Sequence, residues 1–211
     1  MYKTGRVAGY EIRGDTTVLN IVVPERLDHF LQSRKVGSVG LQLEDGRHIT
    51  PLQRKKIYAT LRDISSYSGY TPGEAKEWMK YLHIARHGCE YFSLSDCSVE
   101  TARGFINTLI DYALEEGVPI RDRLTDRTDD INYLLVRCIT NRKCAVCGRH
   151  GEIHHWDAIG MGQNRRTYDD SQNRVICLCR KHHTLAHSQG NKRFADNYHV
   201  YGIVWEGGEN E

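Results

Sequence analysis

A chain of 211 residues, 39% hydrophobic and 27% charged with four prolines, can bury a core of its own, which excludes a disordered polymer and any need for covalent staples. The formal net charge of +2 is bland as a total, so only its distribution can point to a partner. No apolar run approaches the ~20 residues that span a bilayer, and the Met1-Tyr2-Lys3 start has no signal-peptide core, so a cytoplasmic protein with no membrane partner is expected.

The first fifty residues read as a strand–helix–strand unit. Residues 18–23 (VLNIVV) form an apolar, strand-like run that ends at Pro24. Residues 26–34 have the pattern of a short amphipathic helix, and 38–43 alternate as a strand before the turn Glu44-Asp45-Gly46. Three marked helices follow. Thr50-Pro51-Leu52-Gln53 offers a capping hydroxyl, a proline at the first helical position and a glutamine at the third, ahead of Ile57, Leu61 and Ile64 on one face. Thr71-Pro72-Gly73-Glu74 repeats the device before Ala75, Trp78, Met79 and Leu82. A third helix starts near Ser98, turns Ala102, Phe105, Ile106, Leu109, Ile110 and Ala113 inward, and stops at Gly117 with Pro119 beyond. These stripes read as core. Residues 121–130 (RDRLTDRTDD) are charged and poor in apolar side chains, the best candidate for a domain boundary. A short helix over 131–139 leads into a cysteine cluster, and the tail 206–211 is expected to be disordered.

Seven cysteines in a reducing compartment favour metal binding over disulfides, and four of them fall between Cys144 and Cys179. Cys144 and Cys147, two residues apart and followed by Gly148, form a zinc knuckle by composition. Cys179 and His182 repeat the spacing and would complete a Cys3His site. Cys177 is the alternative to Cys179, since the two share a face if the strand continues. His154, His155, His183 and His187 exceed what such a clamp can use, with His183 and His187 on one helical face. A surplus of imidazoles suggests a second, open metal position, the kind that hydrolysis needs. Charge gathers in the same region: residues 137–193 hold 11 Lys+Arg against 4 Asp+Glu, leaving 18 against 23 elsewhere. That balance points to a polyanion such as nucleic acid, unless it is only a solvated basic face.

Glu152-Ile153-His154-His155-Trp156, then Asn173, then LCRKHHTLAH over 178–187 resembles the zinc-stapled HNH endonucleases. That resemblance implies a ββα-metal module: two strands and a helix around one catalytic divalent ion, Mg²⁺ or Mn²⁺, beside a structural Zn²⁺ held by Cys144, Cys147, Cys179 and His182. Carried over by position, His155 is the general base, and His154, His183 and His187 are ligands of the catalytic ion. Asn173 is the middle residue that orients His155. It lies ten residues before His183, where the family's common spacing is nine, so Asn164 is the alternative. Arg165, Arg166, Arg180 and Lys181 would hold phosphate.

The helical half has a second likeness. Residues 49–65, the Trp78 helix and residues 92–120 resemble the phage lambda Orf (NinB) recombination-mediator family over roughly residues 10–125. That resemblance implies binding of single-stranded or branched DNA, a single-strand-binding protein as partner, a homodimer, and a phage protein working in a bacterial host. The basic residues Arg54, Lys55, Lys56 and Arg62 are candidate DNA contacts, unless they are only a solvated helix face. Together the two readings give an α+β protein. Residues 1–125 form a strand–helix–strand plus helical bundle for DNA binding in recombination, 126–205 the zinc-stapled HNH nuclease module, and 206–211 the tail. The implied function is metal-dependent DNA hydrolysis leaving a 5′ phosphate and a 3′ hydroxyl. The alternative is a non-catalytic recombination mediator whose zinc module is structural.

Overall fold

The chain opens with a β-hairpin in the computed structural model, which describes residues 5–28, 31, 46–157 and 173–205. Strand β1 (Arg6–Arg13) pairs antiparallel with β2 (Thr16–Val22) around a turn where Gly14 takes φ +58°. The run expected over 18–23 is β2. Its partner β1 was not legible, because a register shift between Val7 and Gly9 interrupts the alternation. The expected helix over 26–34 falls largely outside the described residues, and the strand over 38–43 and the tail 206–211 wholly so.

Helices α1 (Pro51–Ser68), α2 (Pro72–His87) and α3 (Val99–Glu116) start where the caps predict. Thr50 and Gln53 exchange hydrogen bonds, with the Gln53 amide donating to the Thr50 hydroxyl at 3.1 Å and the Thr50 amide to Gln53 Oε1 at 3.0 Å. Thr71 and Glu74 repeat the arrangement. The inward residues expected on α1 and α3 are all buried. Trp78 on α2 departs from this pattern: it stays 39% exposed and stands edge-on between Tyr70 and Tyr112.

The charged stretch 121–130 is held down by paired charges, while Arg121, Asp122, Arg123 and Asp126 stay exposed. A 3₁₀ turn, Leu124–Asp126, buries Leu124 completely. Arg127 is buried too, bridging Asp63 of α1 and Asp122, while Lys56 bonds the Asp129 carboxylate and the Thr128 carbonyl. Asp130 then caps α4 (Ile131–Thr140), which packs on α3 and on the C-terminal sheet. Tyr133 and Arg137 of α4 bond Asp111 of α3 at 2.6 Å each. One continuous apolar core runs through α4 from Ile49 to Ile203.

Beyond α4 lies a three-stranded antiparallel sheet in the order β3 (Glu152–His155), β4 (Arg174–Leu178), β5 (Ile203–Val204). Two helices follow β4: α5 (Arg180–Gln189) packs back on it, and α6 (Asn191–Tyr198) buries Phe194. Gly202 permits the last strand to close, because a Cβ there would sit 2.4 Å from the Trp156 side chain. None of the helices among the described residues is long and apolar enough to cross a membrane.

Candidate metal centres

The first centre is built by a tight turn and a helix start. The Cys144 amide bonds the Arg149 carbonyl and the Gly148 amide bonds the Cys144 carbonyl, with Gly148 at φ +68°. This folds the two thiols of the knuckle onto the same side. Strand β4 ends at Leu178, so Cys179 leaves the strand and becomes the N-cap of α5, one turn from His182. The ligand atoms of Cys144, Cys147, Cys179 and His182 gather within 4.8 Å of one another. His182 Nδ1 lies 3.3 Å from both Cys144 Sγ and Cys179 Sγ, and Cys147 Sγ lies 3.7 Å from Cys179 Sγ. A tetrahedral zinc with bonds of ~2.3 Å to sulfur and ~2.0 Å to nitrogen has S–S edges of about 3.8 Å and S–N edges of about 3.5 Å. The donor set fits zinc.

Cys177 stands apart from this clamp. It is fully buried, its sulfur lies where a Cβ on Gly151 would be 2.8 Å away, and burial pushes its thiol up to about 12. Cys147 is the opposite case. The adjacent Cys144 thiol and Arg149, whose Nε approaches the Cys147 sulfur at 3.4 Å, draw its thiol down against the opposing effect of burial. A thiolate at Cys147 is what a metal would need.

The second centre lies on the same helix. His154 comes from β3, and His183 and His187 come from consecutive turns of α5. Their ring centroids are 4.6, 4.8 and 4.9 Å apart, and each ring can offer a nitrogen within 4.8 Å of the others. His154 is buried, His183 half-buried and His187 exposed, so the trio opens to solvent on one side. Behind it stand two anchors. His183 Nδ1 lies 2.7 Å from Glu152 Oε1, which leaves its Nε2 to face a cation, the arrangement common behind metal-binding imidazoles. The same contact holds the Glu152 carboxyl below its usual range. His154 Nε2 lies 3.3 Å from Asn191 Oδ1. Burial holds the His154 imidazole below its ordinary 6.5, partly opposed by the Asn191 contact and reinforced by the neighbouring histidines. Three nitrogen donors with an open side fit a divalent transition ion better than magnesium, which prefers oxygen.

The other expected residues are placed less uniformly. His155 is exposed at the end of β3, one residue beyond His154 and outside the trio. Asn173 immediately precedes β4, two residues before Val175, the cross-strand partner of His155. Arg180 and Lys181 are exposed in the first turn of α5. Arg165, Arg166 and Asn164 lie outside the described residues. Asp157, which follows β3, grips Arg174 through both guanidinium and main chain at 2.6–3.1 Å. Lys55 is exposed, but Arg54 is tied to the carbonyls of Leu94 and Ser95 at 3.0 Å each. Glu152 opens the quoted motif, but its contact with His183 is visible only in the fold, and Asn191 carries no spacing signal that sequence reading could use.

Against known families, residues 28–207 match a family model described as "Putative HNHc nuclease". No curated protein and no solved structure matches the chain.

Proposed function

The chain belongs to the HNHc nuclease family, and from that premise we propose that it is a divalent-metal-dependent DNA endonuclease. The observation that carries this reading is the second cluster: three imidazoles converge on one open point beside a clamp that already has its four ligands. His154, His183 and His187 would hold the ion. When bound, that ion supplies positive charge to offset the crowded phosphate and the departing oxygen.

The rest is work for the chain's own groups. His155 is the exposed base at the strand end, and an imidazole is the side chain suited to taking a proton from water near neutral pH. Asn173, at the start of the paired strand, orients it. Arg180 and Lys181, with Arg165 and Arg166, attract and hold the phosphate backbone. The products are a 5′ phosphate and a 3′ hydroxyl. The nitrogen-rich donor set makes Mn²⁺ a better occupant than Mg²⁺. Single-stranded or branched DNA as substrate, a role in phage recombination, a single-strand-binding protein partner and a homodimer rest on the resemblance of residues 10–125 to the Orf family.

A nicking assay on single-stranded, duplex and branched DNA with Mn²⁺ or Mg²⁺ tests the proposal. His155→Ala should lower the cleavage rate by roughly 10²–10⁴-fold while Mn²⁺ binding is retained. Equal, background-level cleavage by both proteins refutes it.

A further inference from the structure

Asn191, the first residue of α6, stands behind the second metal centre. Its side-chain nitrogen donates to the Trp156 carbonyl, and its Oδ1 lies 3.3 Å from His154 Nε2. A carbonyl only accepts, so the contact with Trp156 fixes which end of the amide faces the ring, namely the oxygen. That oxygen also only accepts, so the ring nitrogen opposite it must carry the hydrogen. A neutral imidazole has one N–H, and placing it on Nε2 leaves the lone pair on Nδ1. We propose that Asn191 is a positioning residue that locks His154 as its Nε2–H tautomer and so makes Nδ1 the atom offered to the ion. This rests on reading the three imidazoles as the divalent-metal centre of a nuclease.

Several features make the lock necessary and firm. His154 is only 3% exposed, so water is a poor substitute for a protein acceptor at its second nitrogen. Asn191 is itself anchored: it begins a helix whose Phe194 is fully buried. The Trp156 carbonyl it grips belongs to a residue pinned from two sides. The Trp156 amide donates to the Arg174 carbonyl at 2.8 Å, and Gly202 approaches so closely that a Cβ there would meet the indole. His183 shows the complementary arrangement, with Glu152 engaging Nδ1 and leaving Nε2. Both buried-side ligands therefore have one nitrogen committed to the protein and one left for the cation. For His154 that commitment comes from α6, which lies outside the hairpin-plus-helix unit holding the ligands.

The test uses the full, zinc-loaded chain. Ring-nitrogen NMR correlations of His154, recorded without the second ion at mildly alkaline pH, report the tautomer directly. Calorimetric titration with Mn²⁺ reports the affinity. Native protein should show Nε2–H. Asn191→Ala should lose the single tautomer and weaken Mn²⁺ binding by roughly 10–100-fold, with its zinc content unchanged. A native His154 protonated on Nδ1, or an Asn191→Ala protein that keeps the single tautomer or an unchanged Mn²⁺ affinity, would each overturn the inference. None of these readouts needs cleavage. A chain that binds Mn²⁺ through Nδ1 yet cuts no DNA sinks the nuclease reading alone, and one that cuts through His155 while indifferent to Asn191 sinks this inference alone.

Discussion

The seam between the helical half and the metal-bearing half turns on one buried cation, Arg127. Its guanidinium is 5% exposed and lies 3.0 Å from Asp63, whose side chain is 2% exposed. Arg127→Met keeps most of the aliphatic bulk and removes the charge. Asp63 is then left with Arg121, whose Nε is 3.4 Å away on a side chain 67% exposed. Removing one partner of a buried pair costs about 3–5 kcal/mol. The surviving Arg121 contact places the loss near the lower end, about 3 kcal/mol, or a fall in Tm of roughly 6–12 °C for a chain of this size. The double substitution Asp63→Leu/Arg127→Met removes both charges and should return to within about 1 kcal/mol of the native value. Denaturant titration of the zinc-loaded single and double variants measures the cycle. If Arg127→Met costs under about 1 kcal/mol, or the two single losses simply add, the pair does not hold the seam.

Three further outcomes follow from the two centres and the core. Removing the structural ion, by chelation or by Cys179→Ser, should unfold the C-terminal sheet, since such an ion contributes ~10–16 kcal/mol against a total stability of ~5–15 kcal/mol; an unchanged far-ultraviolet circular dichroism melt after zinc release would count against this. His187→Ala should leave that melt nearly intact while abolishing tight Mn²⁺ binding in calorimetry, because His187 is exposed and touches only the open centre. His83 provides the pH prediction. Burial, aided by neighbouring His87, lowers it to about 4, below its unfolded value of ~6.5. The folded chain therefore binds fewer protons between these values, so stability is full above about pH 6.5 and declines as pH falls toward about 4. Melts of His83→Phe should show a shallower acid decline, and an identical slope would refute the assignment.

What could be read from the sequence was what is local. Thr50 with Gln53 and Thr71 with Glu74 close their capping boxes within one turn, and Gly69, Gly88 and Gly117 end the three helices in left-handed conformation, so α1 to α3 were legible at both ends. The two Cys/His pairs were legible for the same reason. The choice between Cys177 and Cys179 was not, because it depends on where β4 stops. Extending the strand would have put both sulfurs on one face, but the chain turns into α5 at Cys179 and the alternation is lost. Helix α6 (NKRFADNY) is polar apart from Phe194 and its aromatic end, so its docking depends on the surface it meets. The domain boundary expected over residues 121–130 rests on composition, which cannot show that Arg127 and Lys56 have their carboxylates across the seam.

Helix α5 gives the two centres different work from adjacent residues. At about 100° per residue, His182 and His183 diverge by a quarter turn, while His183 and His187 are only about 40° apart. So His182 turns to the thiolates, and the other two turn together toward His154. The clamp fills its four positions with protein and has no site for substrate, whereas the trio supplies three donors and keeps a side open. Yet the clamp determines the trio's geometry, because Cys179 and His182 fix the start of α5 against the knuckle and with it the height of His183 and His187 over β3. Three imidazoles can share one ion only if the helix and the strand are held closely in place. Ile176, Leu178 and Ile203 seat the sheet in the core it shares with α4, and the clamp is what ties the start of α5 to the knuckle. The closed centre is thus the structural condition for the open one, and any chemistry must occur where coordination remains unfilled.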